Sequence, residues 1–236
     1  MNNLFIRSFS VNWKEISKDS YLHDIAALKS LKSFTFSSNI TFFVGENGSG
    51  KSTLLEALAV ASGLNAEGGT RNYKFSTYDD YSEFHNALKL NRNAMPPDWS
   101  YFLRAESFYN VATANITTYY ENGIPDYHAK SHGESFFDFI QNNDSTGLYF
   151  LDEPEAALSV QRQLSLIIQL KEMADSGSQF IIATHSPILL GTPGADIYSF
   201  DNNKIKKIKY EETESYQITK LFILNRENML KRMFGE

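Results

Sequence analysis

Short hydrophobic runs recur along the chain and predict the strands of a β-sheet. Residues 3–11 alternate large apolar and polar side chains, which is the pattern of a half-buried strand. Later runs are apolar and rich in β-branched and aromatic residues, which is typical of buried strands. They span residues 34–36, 40–44, 100–104, 147–151, 179–183 and 197–200, and an outer strand is predicted at 204–210.

Between these runs, apolar residues at helical spacing predict helices. One helix is predicted over residues 51–62, with Gly63 as its C-cap, and another from the N-cap Ser159 to about Asp175. In the second helix, the apolar residues that share helical spacing are Val160, Leu164, Ile167 and Ile168. Less regular segments predict helices near 80–90, 106–120 and 133–141, two short helices within 214–234, and a short strand at 72–75. This order of elements predicts an α/β fold with a mostly parallel sheet covered by helices on both faces.

Composition narrows the class of protein. The chain has 236 residues, 42% of them hydrophobic, which suits one domain with a substantial core. Cysteine is absent, which excludes disulfides, thiolate metal sites and thiol nucleophiles. No apolar stretch approaches the ~20 residues needed to cross a bilayer, and no secretion peptide is evident, so we expect a cytoplasmic protein.

Charge argues against one class of partner without excluding it. The net charge is −6, which disfavours a wholly basic nucleic-acid binder. A local basic cluster is nevertheless present, and it consists of Lys204, Lys206, Lys207 and Lys209. On an outer strand such a cluster usually protects an exposed edge from aggregation, and the alternative is a DNA- or RNA-binding patch. Nucleic acid is therefore a possible partner but not the favoured one.

The first chemical motif is GENGSGKS at residues 45–52, between a predicted strand and a predicted helix. It matches the phosphate-loop pattern G-x-x-x-x-G-K-[ST], whereas the alternative is a glycine-rich turn with a chance lysine. In such a loop, Lys51 reaches the β- and γ-phosphates and Ser52 ligates Mg²⁺. The residues expected to bind nucleotide are Gly45, Glu46, Asn47, Gly48, Ser49, Gly50, Lys51, Ser52 and Thr53.

The second motif is an acidic pair at the end of an apolar run. Residues 148–151 lead into Asp152 and Glu153. Ligands of parallel sheets bind beyond the carboxyl ends of the strands, so Asp152 is expected to face the phosphate loop and hold Mg²⁺, usually through water. Glu153 is expected to polarise an attacking water. The alternative is a pair of solvated acids at a strand end.

The third motif places a histidine after the next apolar run, IIATHSP at residues 181–187. His185 follows Asp152 by 33 residues. It is expected to sense the γ-phosphate and orient the water, whereas a lone histidine is otherwise usually structural or exposed.

Taken together, the loop 45–52, the run 151–154 and His185 resemble the phosphate loop, the second acidic motif and the switch histidine of ATP-binding cassette (ABC) ATPases. The pattern is closer to small soluble predicted ATPases that carry D-E-P-E-A-A-L than to transporter subunits. The resemblance implies a P-loop NTPase fold of ABC type, formed by residues 1–236 as a single domain with a small helical insertion at about 64–130.

The resemblance also suggests a signature segment, with clear departures from the family pattern. KSHGE at residues 130–134 stands where the family typically has L-S-G-G-Q, with Ser131 lying 21 residues before Asp152. Ser131 and Gly133 match, whereas Glu134 replaces glutamine and the family's later D-loop aspartate is Ser159. The alternative for this segment is a serine-capped helix start. Glu106 is the candidate for the family's Q-loop glutamine.

From the resemblance, the implied activity is Mg²⁺-dependent ATP hydrolysis at a site shared by two chains. ATP and Mg²⁺ are the implied cofactors. ATP would bind between the phosphate loop of one subunit and Ser131, Gly133 and Glu134 of another in a head-to-tail homodimer that drives or gates an unknown protein partner. One alternative is a nucleotide-switched binding module with slow turnover, and another is a small-molecule phosphotransferase, which the adjacent Glu153 disfavours.

Overall fold

A computed structural model describes residues 4–70, 82–104 and 146–235 of the chain. In these ranges ten strands form two sheets. The three-stranded antiparallel sheet has the order β2-β1-β5, and the seven-stranded sheet has the order β10-β9-β3-β8-β7-β6-β4. The strands are β1 Ile6–Val11, β2 Ser33–Thr35, β3 Ile40–Val44, β4 Gly69–Thr70, β5 Leu88–Arg92, β6 Trp99–Arg104, β7 Gly147–Asp152, β8 Gln179–Ala183, β9 Asp196–Ser199 and β10 Lys206–Ile208.

The larger sheet is mostly parallel, as the sequence predicts. Its central pairs, β9 with β3, β3 with β8, β8 with β7 and β7 with β6, are all parallel. Only the outermost strands β10 and β4 pair antiparallel to their neighbours. The carboxyl ends of the central strands therefore share one edge of the sheet, where Val44, Asp152 and Ala183 are found.

Five α-helices are present in the described ranges. Two of them pack on opposite faces of the larger sheet, because successive residues of a strand point to opposite faces. Phe43 packs in the core on the α2 face with Leu54, whereas Phe42 packs in the core on the α4 face with Leu166. The helices are α1 Ala26–Lys29, α2 Lys51–Ala61, α3 Phe84–Ala87, α4 Val160–Asp175 and α5 Glu214–Phe234.

Several predicted elements are confirmed closely, although helix α2 ends at Ala61 with Ser62 as its C-cap, and the predicted cap Gly63 follows it with a φ of +89°. Helix α4 begins after Ser159, whose side chain accepts a hydrogen bond from the Arg162 N–H at 3.4 Å. Helix α5 is interrupted at Asn225, which has non-helical backbone angles, so the prediction of two terminal helices is confirmed. No helix in residues 4–70, 82–104 and 146–235 is long and apolar enough to cross a membrane.

The predicted helix near residues 80–90 is wrong over its second half. Helix α3 ends at Ala87, and the chain continues directly as β5. The cause is tertiary, because the backbone of β5 pairs antiparallel with β1 and Leu90 lies opposite Phe9. Sheet hydrogen bonding thus overrides the local helical pattern. Residues 72–75, 106–120 and 133–141 lie outside the described ranges.

The face of α4 that the sequence highlights is not the buried one. Val160, Leu164 and Ile168 are 60%, 53% and 59% exposed, and Ile167 is partly buried. The core-facing residues are Leu166, Leu170 and Ala174.

The described parts of the predicted insertion at 64–130 contribute to both sheets. Strand β5 belongs to the smaller sheet, and β4 and β6 belong to the larger one. The extent of an inserted subdomain within this range stays a prediction.

Candidate nucleotide-binding site

The phosphate-loop motif connects the carboxyl end of β3 to the first residue of α2. All three of its glycines, Gly45, Gly48 and Gly50, have positive φ angles. At Gly50 the need for glycine is twofold, since its φ is +98° and a Cβ would lie 2.7 Å from Cγ2 of Ile25 and 2.9 Å from Cγ of Leu28. The segment preceding β2 therefore packs directly against the loop and fixes the point at which α2 begins.

A carboxylate that follows β9 also holds the loop. Oδ1 of Asp201 accepts a hydrogen bond from the Glu46 N–H at 3.1 Å, and Oδ2 accepts one from the Ser199 hydroxyl at 2.8 Å. Sequence reasoning missed Asp201, because a single aspartate after a strand carries no recognisable spacing. It lies 155 residues from the loop backbone that it contacts.

Lys51 is the first residue of α2, and its side chain points back into the phosphate loop. Its side chain is buried, and Nζ donates hydrogen bonds to the carbonyl oxygens of Gly45 at 2.7 Å and Glu46 at 2.9 Å. Burial lowers the pKa of this amine, and the nearby carboxylates of Glu153 and Asp152 partly offset that effect. The Lys51 amine, which the sequence predicts to bind phosphate, is therefore buried against the loop backbone and poorly hydrated.

The second residue of α2 contacts the end of β7. The Ser52 hydroxyl donates a hydrogen bond to Oδ1 of Asp152 at 2.9 Å, across 100 residues of sequence. Burial raises the pKa of Asp152 to about 6, although the Ser52 hydrogen bond and the charge of Arg104 act in the opposite direction. Arg104 is itself held by Glu56 on α2, with Nη1 and Oε2 3.0 Å apart. The two predicted metal-binding oxygens therefore lie together.

Glu153 has an unusual backbone conformation, with φ 47° and ψ 53°. Non-glycine residues adopt this left-handed region only when the surrounding structure enforces it. Here the Glu153 N–H donates to the Ala183 carbonyl at 2.9 Å, which ties the end of β7 to the end of β8. The side chain remains 46% exposed, and its Oε1 lies 3.8 Å from Nε2 of His185. The structure thus brings the predicted water-polarising acid next to the predicted switch histidine.

The histidine loop after β8 is fixed by a carboxylate that the sequence did not single out. Oε1 of Glu155 accepts hydrogen bonds from the His185 N–H at 2.7 Å and the Ser186 N–H at 3.1 Å. Glu155 directly follows the run 151–154 in sequence, but this position does not reveal a contact across 30 residues.

A cavity of about 210 Å³ lies beside the phosphate loop. Gly45 and Asp201 line it on one side and His185 on another, while Lys206 and Ser215 bring β10 and the start of α5 to its wall. The start of α5 is therefore adjacent to the candidate site.

Other predicted residues have different outcomes. Glu106, Ser131, Gly133 and Glu134 lie outside the described ranges and stay predictions. The sequence offers two aromatic residues upstream of the phosphate loop that could stack on adenine, Trp13 and Tyr21. Trp13 packs near the core, where its Nε1 donates to the Leu31 carbonyl at 2.9 Å and its ring contacts Phe84. Tyr21 is 55% exposed.

Two of the four lysines of the basic cluster, Lys206 and Lys207, lie on β10 at the edge of the larger sheet, as expected for an outer strand, and Lys204 and Lys209 flank this strand. Lys207 forms an ion pair with Asp196 of the neighbouring strand, with Nζ and Oδ1 2.6 Å apart. This arrangement fits protection of an edge strand.

Comparison with known proteins yields one family match and several more distant similarities. The family model described as "AAA domain" matches residues 21–232. The chain is 34% identical over 83 residues to structural maintenance of chromosomes protein 6 of Takifugu rubripes, which covers 35% of this chain and only 8% of that much longer protein. The family match and the observed fold confirm the predicted P-loop ATPase of ABC type.

Two solved structures are similar in overall chain path. One is an inward-facing conformation of a putative metal-chelate type ABC transporter, with 16% identity, a TM-score of 0.47, and coverage of 94% of this chain and 89% of that one. The other is the SMC head domain from Thermotoga maritima, with 14% identity, a TM-score of 0.44, and coverage of 86% of this chain and 98% of that one.

Proposed function

The chain belongs to the AAA domain family, and we propose that it hydrolyses ATP to ADP and phosphate in the presence of Mg²⁺. The observation that carries this proposal is the contact between Ser52 and Asp152. It joins the helix that follows the phosphate loop to the acidic end of β7. Glu153 and His185 lie beside that contact, which gives the site both an electrostatic and a general-base component.

The loop and Lys51 bind the phosphates in this proposal. Backbone N–H groups of a glycine-rich loop and the first turn of a helix provide positive potential for an anion. Lys51 has three ammonium protons, of which two donate to loop carbonyls at 2.7 and 2.9 Å. A phosphate oxygen is a stronger acceptor than a carbonyl, and its charge favours the protonated amine that burial disfavours.

Ser52 and Asp152 are the residues that would hold Mg²⁺. A hydroxyl and a carboxylate are oxygen ligands of the kind that Mg²⁺ takes, and this ion usually completes its shell with phosphates and waters rather than with a full set of protein ligands. When bound, the ion would neutralise charge on the phosphates.

Glu153 and His185 act on the attacking water. Glu153 is exposed enough to contact solvent, and its backbone is held so that the side chain lies beside the histidine. In this proposal Glu153 accepts a hydrogen bond from the water and orients it, while His185 contacts the γ-phosphate. Tyr21 is the remaining described candidate for stacking on the base.

The proposal also includes a head-to-tail dimer around ATP, in which Ser131, Gly133 and Glu134 complete the partner's site. Its support is the resemblance of residues 130–134 to the family signature. A nucleotide-switched binding module with slow turnover is the second candidate function. The apolar side chains exposed on α4 and α5, such as Leu164, Ile218 and Leu221, favour it, because such surfaces often contact partners.

The proposed activity is tested by two substitutions that differ in their effect. Glu153→Gln removes the carboxylate that orients water, so it should retain ATP binding and lose most phosphate release. Lys51→Ala removes a phosphate contact, so it should weaken ATP binding itself. Glu172→Ala, an exposed carboxylate on α4, is the matched control and should retain both. Phosphate release at the wild-type rate by both site variants would contradict the assignment.

A further inference from the structure

The carboxylate of Glu155 contacts the histidine loop, but the proposed hydrolysis assigns it no role. One of its oxygens accepts both the His185 and the Ser186 N–H, at 2.7 and 3.1 Å. Its second oxygen is buried and has no hydrogen-bond partner in the part of the chain that the structure describes. Because one carboxylate oxygen accepts hydrogen bonds from two successive backbone N–H groups, this contact fixes the loop backbone on both sides of the His185 carbonyl.

The turn that carries Glu155 is itself rigidly attached to Glu153. Residues Pro154–Ala157 form a 3₁₀ turn in which the Ala156 N–H donates to the Glu153 carbonyl at 3.1 Å. The Leu158 N–H then donates to the Glu155 carbonyl at 2.9 Å. One short hydrogen-bonded turn therefore connects Glu153 to Glu155.

The histidine loop is held on both sides of His185. Thr184 is fully buried, and its N–H donates to the Phe43 carbonyl at 3.2 Å. On the other side, the Ser186 hydroxyl donates to Oε1 of Gln163 at 2.6 Å. Only the imidazole of His185 is left substantially exposed, at 42%, on the side facing Glu153.

We infer that Glu155 is a positioning residue that holds His185 in register with Glu153, so that the acid and the histidine reach the γ-phosphate and the water as one unit. This inference rests on the proposed function. Glu155 touches neither substrate nor metal in this arrangement. It acts by fixing the backbone N–H groups of residues 185 and 186, which sets the direction of the imidazole.

Kinetics of single and double variants test this role. Glu155→Ala should lower kcat by about tenfold or more, as expected when a group that assists proton transfer or orients water is misplaced, with KM for ATP little changed. His185→Ala should lower kcat to a similar extent, and the double variant should be no worse than the worse single variant, because both changes remove one contribution. Glu172→Ala serves as the control.

The conservative variant separates positioning from charge. In the structure a single oxygen accepts both hydrogen bonds, and the amide oxygen of glutamine can do the same. Glu155→Gln should therefore restore most of kcat, whereas Glu155→Asp is one methylene shorter and should not. The aspartate variant keeps the charge, so it also supplies a folded test protein if the alanine variant is unstable.

Amide hydrogen exchange provides a readout that is independent of turnover. The N–H of His185 should be protected in the wild type and in Glu155→Gln, and should exchange faster in Glu155→Asp and Glu155→Ala. The N–H of Ser186 also donates to Oγ1 of Thr184 at 3.0 Å, so its exchange should change less. If His185→Ala keeps the wild-type kcat, the assignment of His185 in the proposed function fails, and exchange still decides whether Glu155 fixes the loop. Unchanged exchange in the alanine and aspartate variants, or losses in kcat that multiply in the double variant, would overturn the inference.

Discussion

At the scale of single residues, Lys51 and Asp152 show how burial prepares a charged site. Burial lowers the pKa of Lys51 and raises that of Asp152 to about 6, so desolvation disfavours the charged form of both groups. Anionic phosphates and a divalent cation would each restore the charged form. The sequence identifies both residues through their motifs, but only the packed structure reveals the cost of their burial.

The raised pKa of Asp152 predicts a pH dependence of stability in metal-free protein. Between the ordinary aspartate pKa of 3.8 and the raised pKa of about 6, the folded state retains a proton that the unfolded state has lost. The free energy of unfolding should therefore fall as pH rises through this window, by at most roughly 3 kcal/mol from this group. In Asp152→Asn this contribution should be absent, and denaturant unfolding at pH 4 and pH 6.5 measures the difference. An identical pH dependence in wild type and variant would contradict the prediction.

Two glycines of the phosphate loop allow a matched test of local packing. Gly48 and Gly50 have φ angles of +79° and +98°, so alanine is strained at both. A Cβ at Gly48 meets nothing within 4 Å, whereas one at Gly50 lies 2.7 Å from Ile25. Gly48→Ala should cost about 1 kcal/mol of stability from backbone strain. Gly50→Ala should cost clearly more, and equal melting temperatures of the two variants would contradict the packing argument.

At the scale of elements, periodicity identifies a helix more reliably than the face that it buries. Helix α4 carries two apolar stripes, and the sequence pattern drew attention to Val160, Leu164 and Ile168, which are exposed. The buried stripe contains Leu166 and Leu170. Both stripes have helical spacing, so only the position of the helix on the sheet decides between them.

This difference in burial predicts that alanine substitutions at two leucines only two positions apart change the stability of the protein by different amounts. Leu166→Ala removes a fully buried side chain and should lower the free energy of unfolding by about 2–5 kcal/mol. Leu164→Ala alters a side chain that is 53% exposed, and should change stability by about 0.5 kcal/mol or less. Denaturant unfolding of both variants checks the assignment of faces, and a large loss in Leu164→Ala would show that a further surface covers it.

The strands and motifs could be predicted because each depends on residues that are adjacent in sequence. The central strands are short apolar runs, and the phosphate loop is one continuous segment. The missed features depend on distant pairing, as in β5, where pairing with β1 replaces a helical pattern. Asp201 and Glu155 were missed for the same reason, since each acts on a backbone at least 30 residues away.

At the scale of the whole molecule, the described contacts connect the candidate site to elements that could carry a signal outward. The cavity beside the phosphate loop is lined by His185 and by Ser215 at the start of α5. No residue of α5 is buried, and several of its large apolar side chains are exposed. A change in the position of the histidine loop on nucleotide binding would thus occur next to helix α5, none of whose residues is buried.

The proposed shared site makes a prediction about assembly. If Ser131 of one chain completes the ATP site of another, ATP links two chains by mass action, and the closed state accumulates when hydrolysis is blocked. Wild-type protein should be largely monomeric without nucleotide, and Glu153→Gln should become dimeric with Mg²⁺ and ATP. Light scattering at tens of micromolar measures the mass, a range that suits an association of about −6 kcal/mol.

A second substitution shows whether such a dimer is the head-to-tail one. Adding Ser131→Arg to Glu153→Gln places bulk and charge in the predicted signature, so the double variant should bind ATP and remain monomeric. Adding Glu172→Arg to Glu153→Gln instead, on the exposed surface of α4, is the matched control, and this protein should still dimerise. Glu134 stands where the family has glutamine, and its repulsion of the phosphates should weaken closure, so Glu134→Gln should strengthen the ATP-dependent dimer. A Glu153→Gln protein that binds ATP and stays monomeric, with or without Glu134→Gln, would exclude the shared site while leaving ATP binding by the phosphate loop intact.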